Sequence, residues 1–342
     1  MSAGPGATRP SPGGAAAPAP AAGETATLGP ARSPGRLAWH AFWRNRTAVA
    51  GMVAVALFFL GALGGLVLTK GAHPLLDPRE IRLPDRLKPP LAPPNREAVA
   101  VEHRPRLGRY VLGTDELGRD VFARMLEGGF VSLSVGFVAV GIAVALGIVI
   151  GGVAGHYGRV RVGVGPMALT VDTLVTGLID VMLSFPTFFL ILTVVAVLKP
   201  SIWNIMIVIG LTSWEGTARF VRAEILSLRE QDFVQAAQVV GASGRRLIMR
   251  HLVPNALGPV LVSTTLGVAG AILTESSLSF LGFGVPPPAA TWGNILADGK
   301  RYIFDAPWLT LIPGTMILLV VLAFNLFGEG LREAFNPRLR EG

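Results

Sequence analysis

The side chain with the strongest claim to chemistry is Ser243, which lies in a Gly-Ala-Ser-Gly run at 241–244 and fits a Gly-x-Ser-Gly nucleophile pattern. A serine hydroxyl becomes an effective nucleophile only when a neighbouring base takes its proton. The five histidines all lie outside the long apolar segments, and Ser243 is followed closely by the charged pair Arg245 and Arg246. An intramembrane serine protease is therefore kept only as an alternative, because no buried base is expected beside the serine.

Metal and nucleotide sites are not predicted either. The chain has no cysteine, which excludes a disulfide framework and a thiolate metal site. The acidic residues of 114–120 lack the ligand spacing of a calcium loop and are expected to cap a helix instead. Residues 299–301, Gly-Lys-Arg, lack the glycine and the hydroxyl of a nucleotide-binding phosphate loop. We expect no catalytic residue, no cofactor and no metal. Because the phosphate loop is missing, the energy for any active process must come from a partner or an ion gradient.

Composition places the chain in a membrane. It has 342 residues, of which 51% are hydrophobic and 15% are charged, and its mean hydropathy is +0.54. A soluble globule of this composition would have too little polar surface to cover itself. The net charge of +8 does not indicate nucleic-acid binding, because the basic residues flank apolar segments and form no continuous stripe. Residues 1–35 are rich in Ala, Pro and Gly, which predicts a disordered cytoplasmic tail.

Six apolar segments are predicted to be transmembrane helices, so the expected fold is all-α and integral to the membrane. These segments are 47–69, 131–154, 174–198, 201–220, 256–284 and 308–327. Several arginines precede the first segment, and the positive-inside rule then places the N-terminus, and after six crossings also the C-terminus, in the cytoplasm. The expected domains are the tail (1–35), a first helix with an external loop (36–130), a core of five helices (131–335) and a cytoplasmic tail (336–342).

Small and polar residues within these segments carry further predictions. Glycines of the second segment are expected to let neighbouring helices approach closely. They are Gly136, Gly141, Gly147, Gly151 and Gly152. Pro186 is expected to kink the third segment. Glu275 and Asp180 are ionisable groups within apolar segments, where a charge is expensive, and we assign them to a polar pathway or a subunit interface. Trp292, after three prolines, is expected to be an interfacial aromatic anchor.

Residues 232–254, called the hairpin below, read DFVQAAQVVGASGRRLIMRHLVP and predict two short helices. Asp232 suits the N-cap of the first helix, and Gly241 supplies a left-handed turn after it. Ser243 is expected to cap the second helix, and Pro254 to end it. The two apolar faces are Phe233, Ala236, Ala237 and Val240, and Leu247, Ile248 and Leu252. Two interpretations stay open on these grounds: a docking surface for another protein, or an amphipathic hairpin that lies on lipid headgroups.

The hairpin resembles the EAA motif of ATP-binding-cassette importer permeases, in which Glu-Ala-Ala precedes a glycine and a later proline. The residues at matching positions are Gln235, Ala236, Ala237, Gly241 and Pro254. The ending RHLVPN resembles the dipeptide, oligopeptide and nickel importers, as do LGTDELGRDVFARML, DVMLSFP, ESSLSFLGFGVPPPAATWGNIL and FNLFGEGLREAFNPRLR. The resemblance runs from about residue 36 to the end and is to the C type of the two permease partners. Gln235 stands where the family has Glu, and Phe130 where relatives usually have Arg.

The resemblance implies a type I importer permease fold in a bacterial or archaeal plasma (inner) membrane. The implied partners are a second homologous permease subunit, two ATP-binding-cassette ATPases, an external substrate-binding protein and membrane lipid. The residues implied to dock the ATPase are Gln235, Ala236, Ala237, Gly241, Ala242, Arg250, His251 and Pro254. An ion-coupled secondary transporter is the main alternative, but the chain lacks the internal repeat typical of that class. Peptides, a nickel chelate and another small solute all stay open as substrates.

Overall fold

The computed structural model describes residues 34–71, 74–163 and 168–335. Residues 1–33 of the predicted tail 1–35 and all of the predicted tail 336–342 lie outside the described residues, whereas residues 34 and 35 begin a helix. The first half of the chain forms α1 (Pro34–Arg44), α2 (Arg46–Thr69), α3 (Val121–Tyr157), α4 (Val171–Ser184) and α5 (Thr187–Val197). The second half forms α6 (Ile202–Leu211), α7 (Glu215–Arg229), α8 (Asp232–Val239), α9 (Gly244–Leu247), α10 (Val253–Phe280), α11 (Trp292–Gly299) and α12 (Trp308–Phe335). Two short strands, β1 (Arg161–Val162) and β2 (Leu169–Thr170), pair antiparallel.

Among the described residues, four helical stretches are long and apolar enough to cross a membrane: α2, α3, α12 and the stretch Gly244–Phe280 that contains α9 and α10. They confirm the helices predicted at 47–69, 131–154, 256–284 and 308–327. α4 and α5 are apolar together but are bent by 80°. The bend falls at Phe185 and Pro186, as predicted from the proline. The described chain thus has four spans, or five if the bent pair is one span, and the six-helix count is not confirmed.

The fourth predicted segment, 201–220, is wrong as a single helix. α6 ends at Leu211 and α7 begins at Glu215. The Thr212 hydroxyl donates to the carbonyl oxygen of Val208 at 2.7 Å, beside the helical bond from the Thr212 N–H to the same oxygen, and bonds of this kind often bend helices. α6 has 10 residues, whereas a straight crossing needs about 20. α7 is amphipathic rather than continuously apolar, with one buried face and three arginines.

The loop between α2 and α3 is held together by hydrogen bonds to a buried carboxylate. Asp85 accepts from the hydroxyl of Tyr110 at 2.6 Å and from the backbone N–H of Asn95 at 2.9 Å, and it pairs with Lys88 at 2.7 Å. Burial raises the pKa of Asp85, but the hydrogen bonds from Lys88 and Tyr110 outweigh burial and leave this pKa below its ordinary value. The loop has little regular secondary structure, so these polar contacts define its shape.

Four charged residues form a cluster where this loop meets α3 and α11. Asp115 accepts from Arg119 at 2.7 Å and from Arg124 at 2.6 Å, and Arg124 also donates to Asp298 at 3.1 Å. We call these four residues the charge cluster. Asp120 next to them is the N-cap of α3, accepting from the N–H of Phe122 at 2.9 Å. The capping predicted for the acidic residues of 114–120 is therefore confirmed for Asp120.

Close packing of α3 against α7 organises the other end of the fold. A Cβ placed on Gly147 would lie 2.6 Å from Cβ of Thr217, and one on Gly155 would lie 2.8 Å from Cγ2 of Ile225. A Cβ on Gly151 would meet the backbone of Ala218. These glycines recur every fourth residue, which is the spacing that brings helix backbones together in membranes. The predicted close approach is confirmed at Gly147 and Gly151.

The other predicted glycines differ in how closely a neighbouring helix approaches them. A Cβ on Gly136 would touch Ile272 Cγ1 of α10 at 3.0 Å, whereas one on Gly141 would meet no atom of another described element within 4 Å. Gly152 has only a loose contact, at 3.8 Å from Ile225 Cδ1. Gly155 was not among the predicted glycines, because the apolar pattern suggested that the helix ended before it.

Replacing Gly151 with alanine tests this packing. Gly151→Ala should lower the free energy of unfolding by about 1–3 kcal/mol, because the new methyl group meets backbone that cannot move away without displacing α7. Gly141→Ala is the matched control on the same helix and should stabilise by up to about 1 kcal/mol through helix propensity. The melting temperatures of the two purified variants in detergent give the comparison. Equal melting temperatures would contradict the packing account.

Candidate functional site

The hairpin folds as a helix, a tight turn and a second helix that runs into α10. α8 is followed by Gly241, whose φ of +88° is the left-handed conformation predicted from the sequence. The N–H of Gly241 donates to the carbonyl oxygen of Gln238 at 2.9 Å, and the N–H of Ala242 to that of Ala237 at 3.0 Å. These bonds satisfy carbonyl groups that the end of α8 would otherwise leave free. A compact turn therefore sets the direction of α9.

Two predicted helix boundaries in the hairpin are wrong. Gln231, not Asp232, occupies the N-cap of α8, and its side chain makes no capping bond. Asp232 is the first residue of the helix. Pro254 does not end the second helix, because it lies in the first turn of α10. A π turn, Ile248–Leu252, joins α9 to α10, and the N–H of Val253 bonds to the carbonyl oxygen of Ile248. Pro254 has no N–H to donate, and the first turn of a helix tolerates that loss.

The inner side of the hairpin is only partly the side that was predicted. Leu247 and Leu252 are buried as expected. On α8, however, the buried residue is Val234, which packs with these leucines against Val221 and Ile225 of α7. The predicted apolar face of α8 mostly points away from the protein. Ser243 occupies the N-cap position of α9 as predicted, although its hydroxyl makes no capping bond.

The outer side of the hairpin carries apolar side chains that nothing in the described chain covers. Val239 and Val240 are each 88% exposed, Met249 is 65% exposed and Phe233 is 42% exposed. We call these four residues the outer apolar patch. Val239 and Met249 were not predicted to belong to a site, because the helical spacing of the other apolar residues suggested a different face. An exposed apolar patch of this kind marks a surface that binds a protein or a membrane.

The hairpin that carries the outer apolar patch also carries exposed basic residues, a combination found in interfaces with apolar and charged parts. Arg245, Arg246 and Arg250 are all exposed. Of the residues expected from the family motif, Gln235, Ala236, Gly241, Arg250 and Pro254 are exposed, and Ala237, Ala242 and His251 are half-buried. The expected site residues therefore lie together on one accessible hairpin.

Comparison with known proteins decides the family. Residues 147–341 match the family described as the inner membrane component of binding-protein-dependent transport systems. Residues 33–90 match the N-terminal transmembrane domain of oligopeptide transport permease C. The chain belongs to this permease family. It is a C-type permease subunit of the dipeptide and oligopeptide importers, and a multi-pass protein of the inner membrane.

Curated relatives agree with this assignment over most of the chain. The permease is 37% identical to the dipeptide transport system permease protein DppC of Alkalihalophilus pseudofirmus, over 90% of this chain and 91% of the relative. It is 35% identical to DppC of Haemophilus influenzae over 89% and 94% of the two chains. A putative peptide transport system permease protein of Brucella suis is 41% identical over 72% and 80%.

Two solved structures are similar more distantly. The MetNI methionine transporter matches with a TM-score of 0.42 and 15% identity, over 60% of this chain and 94% of that chain. An amino acid ABC transporter matches with a TM-score of 0.41 and 17% identity, over 61% and 94%.

The two ionisable residues singled out within apolar segments lie in different environments. Glu275 of the permease is fully buried and accepts from the hydroxyl of Ser279 at 2.7 Å and from that of Ser132, on α3, at 3.4 Å. Asp180 is exposed and accepts from Arg219 of α7 at 3.0 Å. Glu275 thus joins α10 to α3, whereas Asp180 joins α4 to α7.

Trp292 is not an interfacial anchor. Its side chain is 3% exposed and donates from Nε1 to the carbonyl oxygen of Met125 at 3.1 Å, so it packs inside the permease between α11 and α3. The preceding prolines had suggested a surface loop. The residue before Trp292, Thr291, instead forms a capping box with Asn294 that starts α11 and turns the indole inward.

A proline at Gly241 tests whether the left-handed turn holds the hairpin together. Gly241→Pro cannot adopt a φ of +88° and loses the bond to Gln238, which should favour local opening by about 1–3 kcal/mol, roughly a 5- to 150-fold increase in the open fraction. Tryptic cleavage after Arg245 or Arg246, followed by mass spectrometry in inside-out vesicles, should accelerate accordingly. Gly241→Asn is the control, because Asn tolerates this conformation. Equal cleavage of both variants would contradict the proposed role of the turn.

Proposed function

We propose that this permease is one of two membrane subunits of an ATP-driven importer of peptides or a related small solute, and that the hairpin docks a separate ATPase. The observation that carries the proposal is the outer apolar patch, in which Val239 and Val240 are almost fully exposed. The free energy of binding becomes more favourable when a partner surface removes such side chains from water. The exposed side of the hairpin is therefore suited to binding a partner protein.

The arginines of the hairpin region support a cytoplasmic position and a protein partner. Arg229, Arg245, Arg246 and Arg250 lie within or just before the hairpin, as the positive-inside rule expects for a cytoplasmic loop. With the hairpin in the cytoplasm, six crossings and two cytoplasmic termini remain the topology that we propose.

An acidic surface on the ATPase would complement the arginines of the hairpin. Gln235 removes one acid that the family motif usually has, so the shape formed by Ala236, Ala237 and Gly241 carries the recognition in this proposal.

An ATPase partner is required in this proposal because the permease itself offers no phosphate-binding loop. The segment 299–301 ends α11 and starts a 3-10 turn, Lys300–Tyr302, rather than wrapping an anion. ATP-driven closure of the partner would move the hairpin, and the hairpin would move the spans between inward-open and outward-open arrangements. Selectivity would lie largely with an external binding protein. The names of the relatives favour a peptide as cargo.

The bent pair of α4 and α5 supports the presence of a second permease subunit. Backbone that breaks its helical pattern is tolerated at membrane depth only where protein or a water-filled cavity shields it from lipid. Phe185 and Pro186 at the bend are both exposed in the single chain. Neighbouring apolar side chains, Val181 and Phe189, are also exposed. We therefore place the second permease subunit and the pathway on this side, with Asp180 nearby, and assign buried Glu275 to helix packing.

Charged substitutions in the outer apolar patch test the docking proposal. Val239→Asp combined with Val240→Asp should weaken ATPase binding by about 2 kcal/mol or more, roughly 30-fold, because both side chains are 88% exposed and docking would bury the two new charges. Titration of the purified permease complex with the separately purified ATPase measures the change. Phe304→Asp is the matched control, because Phe304 is 95% exposed and lies far from the hairpin along the chain. Unchanged affinity in the double variant would contradict the proposal and favour a lipid-bound hairpin.

A further inference from the structure

Arg229, the last residue of α7, binds the end of a helix that is not its neighbour in sequence. Its Nη1 donates to the carbonyl oxygen of Gly155 at 3.0 Å and to that of His156 at 3.0 Å. Both carbonyl groups belong to the last turn of α3, where no further helical N–H groups are available. A cation at this position is also favoured by the negative end of the helix dipole. Arg229 therefore caps α3 immediately before the hairpin begins.

The hairpin touches the same end of α3 directly. Gly244 starts α9, and a Cβ placed on it would lie 2.6 Å from Oη of Tyr157 and 2.9 Å from Nε2 of His156. The missing side chain thus allows α9 to lie against the last turn of α3. We call Arg229, Gly244 and the last turn of α3 the α3 clamp. It links the hairpin to a span that is covalently remote from it.

α3 is suited to carry a displacement along its whole length. It has 37 residues, which at about 1.5 Å per residue is roughly 55 Å, and it contains no proline. α4 and α5 are separated by the 80° bend, α10 and α12 each contain a proline, Pro259 and Pro313, and α2 lacks a proline but has only 24 residues. The glycine packing described above also holds α3 against α7. α3 is therefore one continuous helix whose C-terminal end lies in the α3 clamp.

The opposite end of this helix lies in the charge cluster. Arg124, in the first turn of α3, is buried and joins Asp115 of the preceding loop to Asp298 of α11. Breaking one partner of a buried ion pair is costly, so these three elements are expected to move together. A shift of α3 along or about its axis would thus reach the loop that precedes it and α11.

We propose that α3 transmits movement of the hairpin to the charge cluster and that Arg229 is the positioning residue that makes this link. The proposal rests on the proposed function in one respect, because ATPase closure supplies the movement of the hairpin. Without Arg229, the hairpin would still dock the ATPase through the outer apolar patch. Its displacement would then reach α3 less effectively.

Substitutions at Arg229 test the link. In the assembled complex with its ATPase and binding protein, Arg229→Met keeps the apolar stem but removes the donors, and the amount of solute transported per ATP hydrolysed should fall roughly fivefold or more. Arg229→Lys should restore most of this ratio, because an ammonium group can still donate to the two carbonyl oxygens. Arg332→Met is the control and should leave the ratio unchanged, because within the described part of the chain Arg332 forms only an exposed pair with Glu329.

Two cysteine reporters separate docking from transmission, and the natural absence of cysteine makes each one unique. Val239→Cys reports ATPase contact at the outer apolar patch, and Phe122→Cys reports the first turn of α3. With Arg229 present, ATP should change the maleimide labelling rate at both positions. With Arg229→Met, the change at Val239→Cys should persist and the change at Phe122→Cys should shrink severalfold.

The outcomes distinguish the two proposals. If labelling at Val239→Cys does not respond to ATP even with Arg229 present, the docking proposal fails. If that position responds but Phe122→Cys does not, or responds equally with Arg229→Met, transmission through the α3 clamp is overturned. In that case the displacement would pass through α7 and α10, the covalent neighbours of the hairpin.

Discussion

The close approach of α3 and α7 is the contact on which the rest of the molecule depends. Three glycines on α3 remove the side chains that would separate the two helices, and the space is filled by Thr217, the backbone of Ala218 and Ile225 on α7. Lipid offers no hydrophobic driving force for helix association, so van der Waals contact at this distance is what holds membrane helices together. Since α7 leads directly into the hairpin, this contact also fixes where the hairpin lies.

The hairpin is stable because it divides its apolar residues between two surfaces. Val234, Leu247 and Leu252 face α7 and are buried, whereas Val239 and Val240 face outward. The inner set anchors the hairpin to the permease. The outer set has no role within the described chain and gives the hairpin a surface for a partner. The same segment is thus a rigid extension of the spans and an exposed contact surface.

Local features of this fold could be predicted from the sequence because they depend on neighbouring residues. Pro186 predicts the bend between α4 and α5 through its missing N–H, and Gly241 predicts the turn through its tolerance of a positive φ. Four of the six predicted segments are long apolar helices in the structure, because a continuous run of apolar residues is also a local feature of the sequence. The family resemblance located the hairpin, whose amphipathic pattern alone left docking and lipid binding equally open.

Long-range features could not be predicted from the sequence. Periodicity identifies an apolar face on α8 but does not say which side another helix covers, so Val234 was missed. The contact of Arg229 with Gly155 joins residues more than 70 positions apart, and Arg124 is still farther from Asp298. The break between α6 and α7, at residues 212–214, lies within an apolar segment that hydropathy alone predicted as one helix. Each of these features needs the folded arrangement.

Photo-crosslinking from the centre of the outer apolar patch tests most directly whether the hairpin docks an ATPase. A photoreactive maleimide attached to Val240→Cys, in inside-out vesicles that contain the assembled importer, should form an adduct between the permease and the ATPase. The same reagent on Phe304→Cys should form none. Adducts with lipid alone from Val240→Cys, in vesicles where the ATPase is bound and active, would contradict the account.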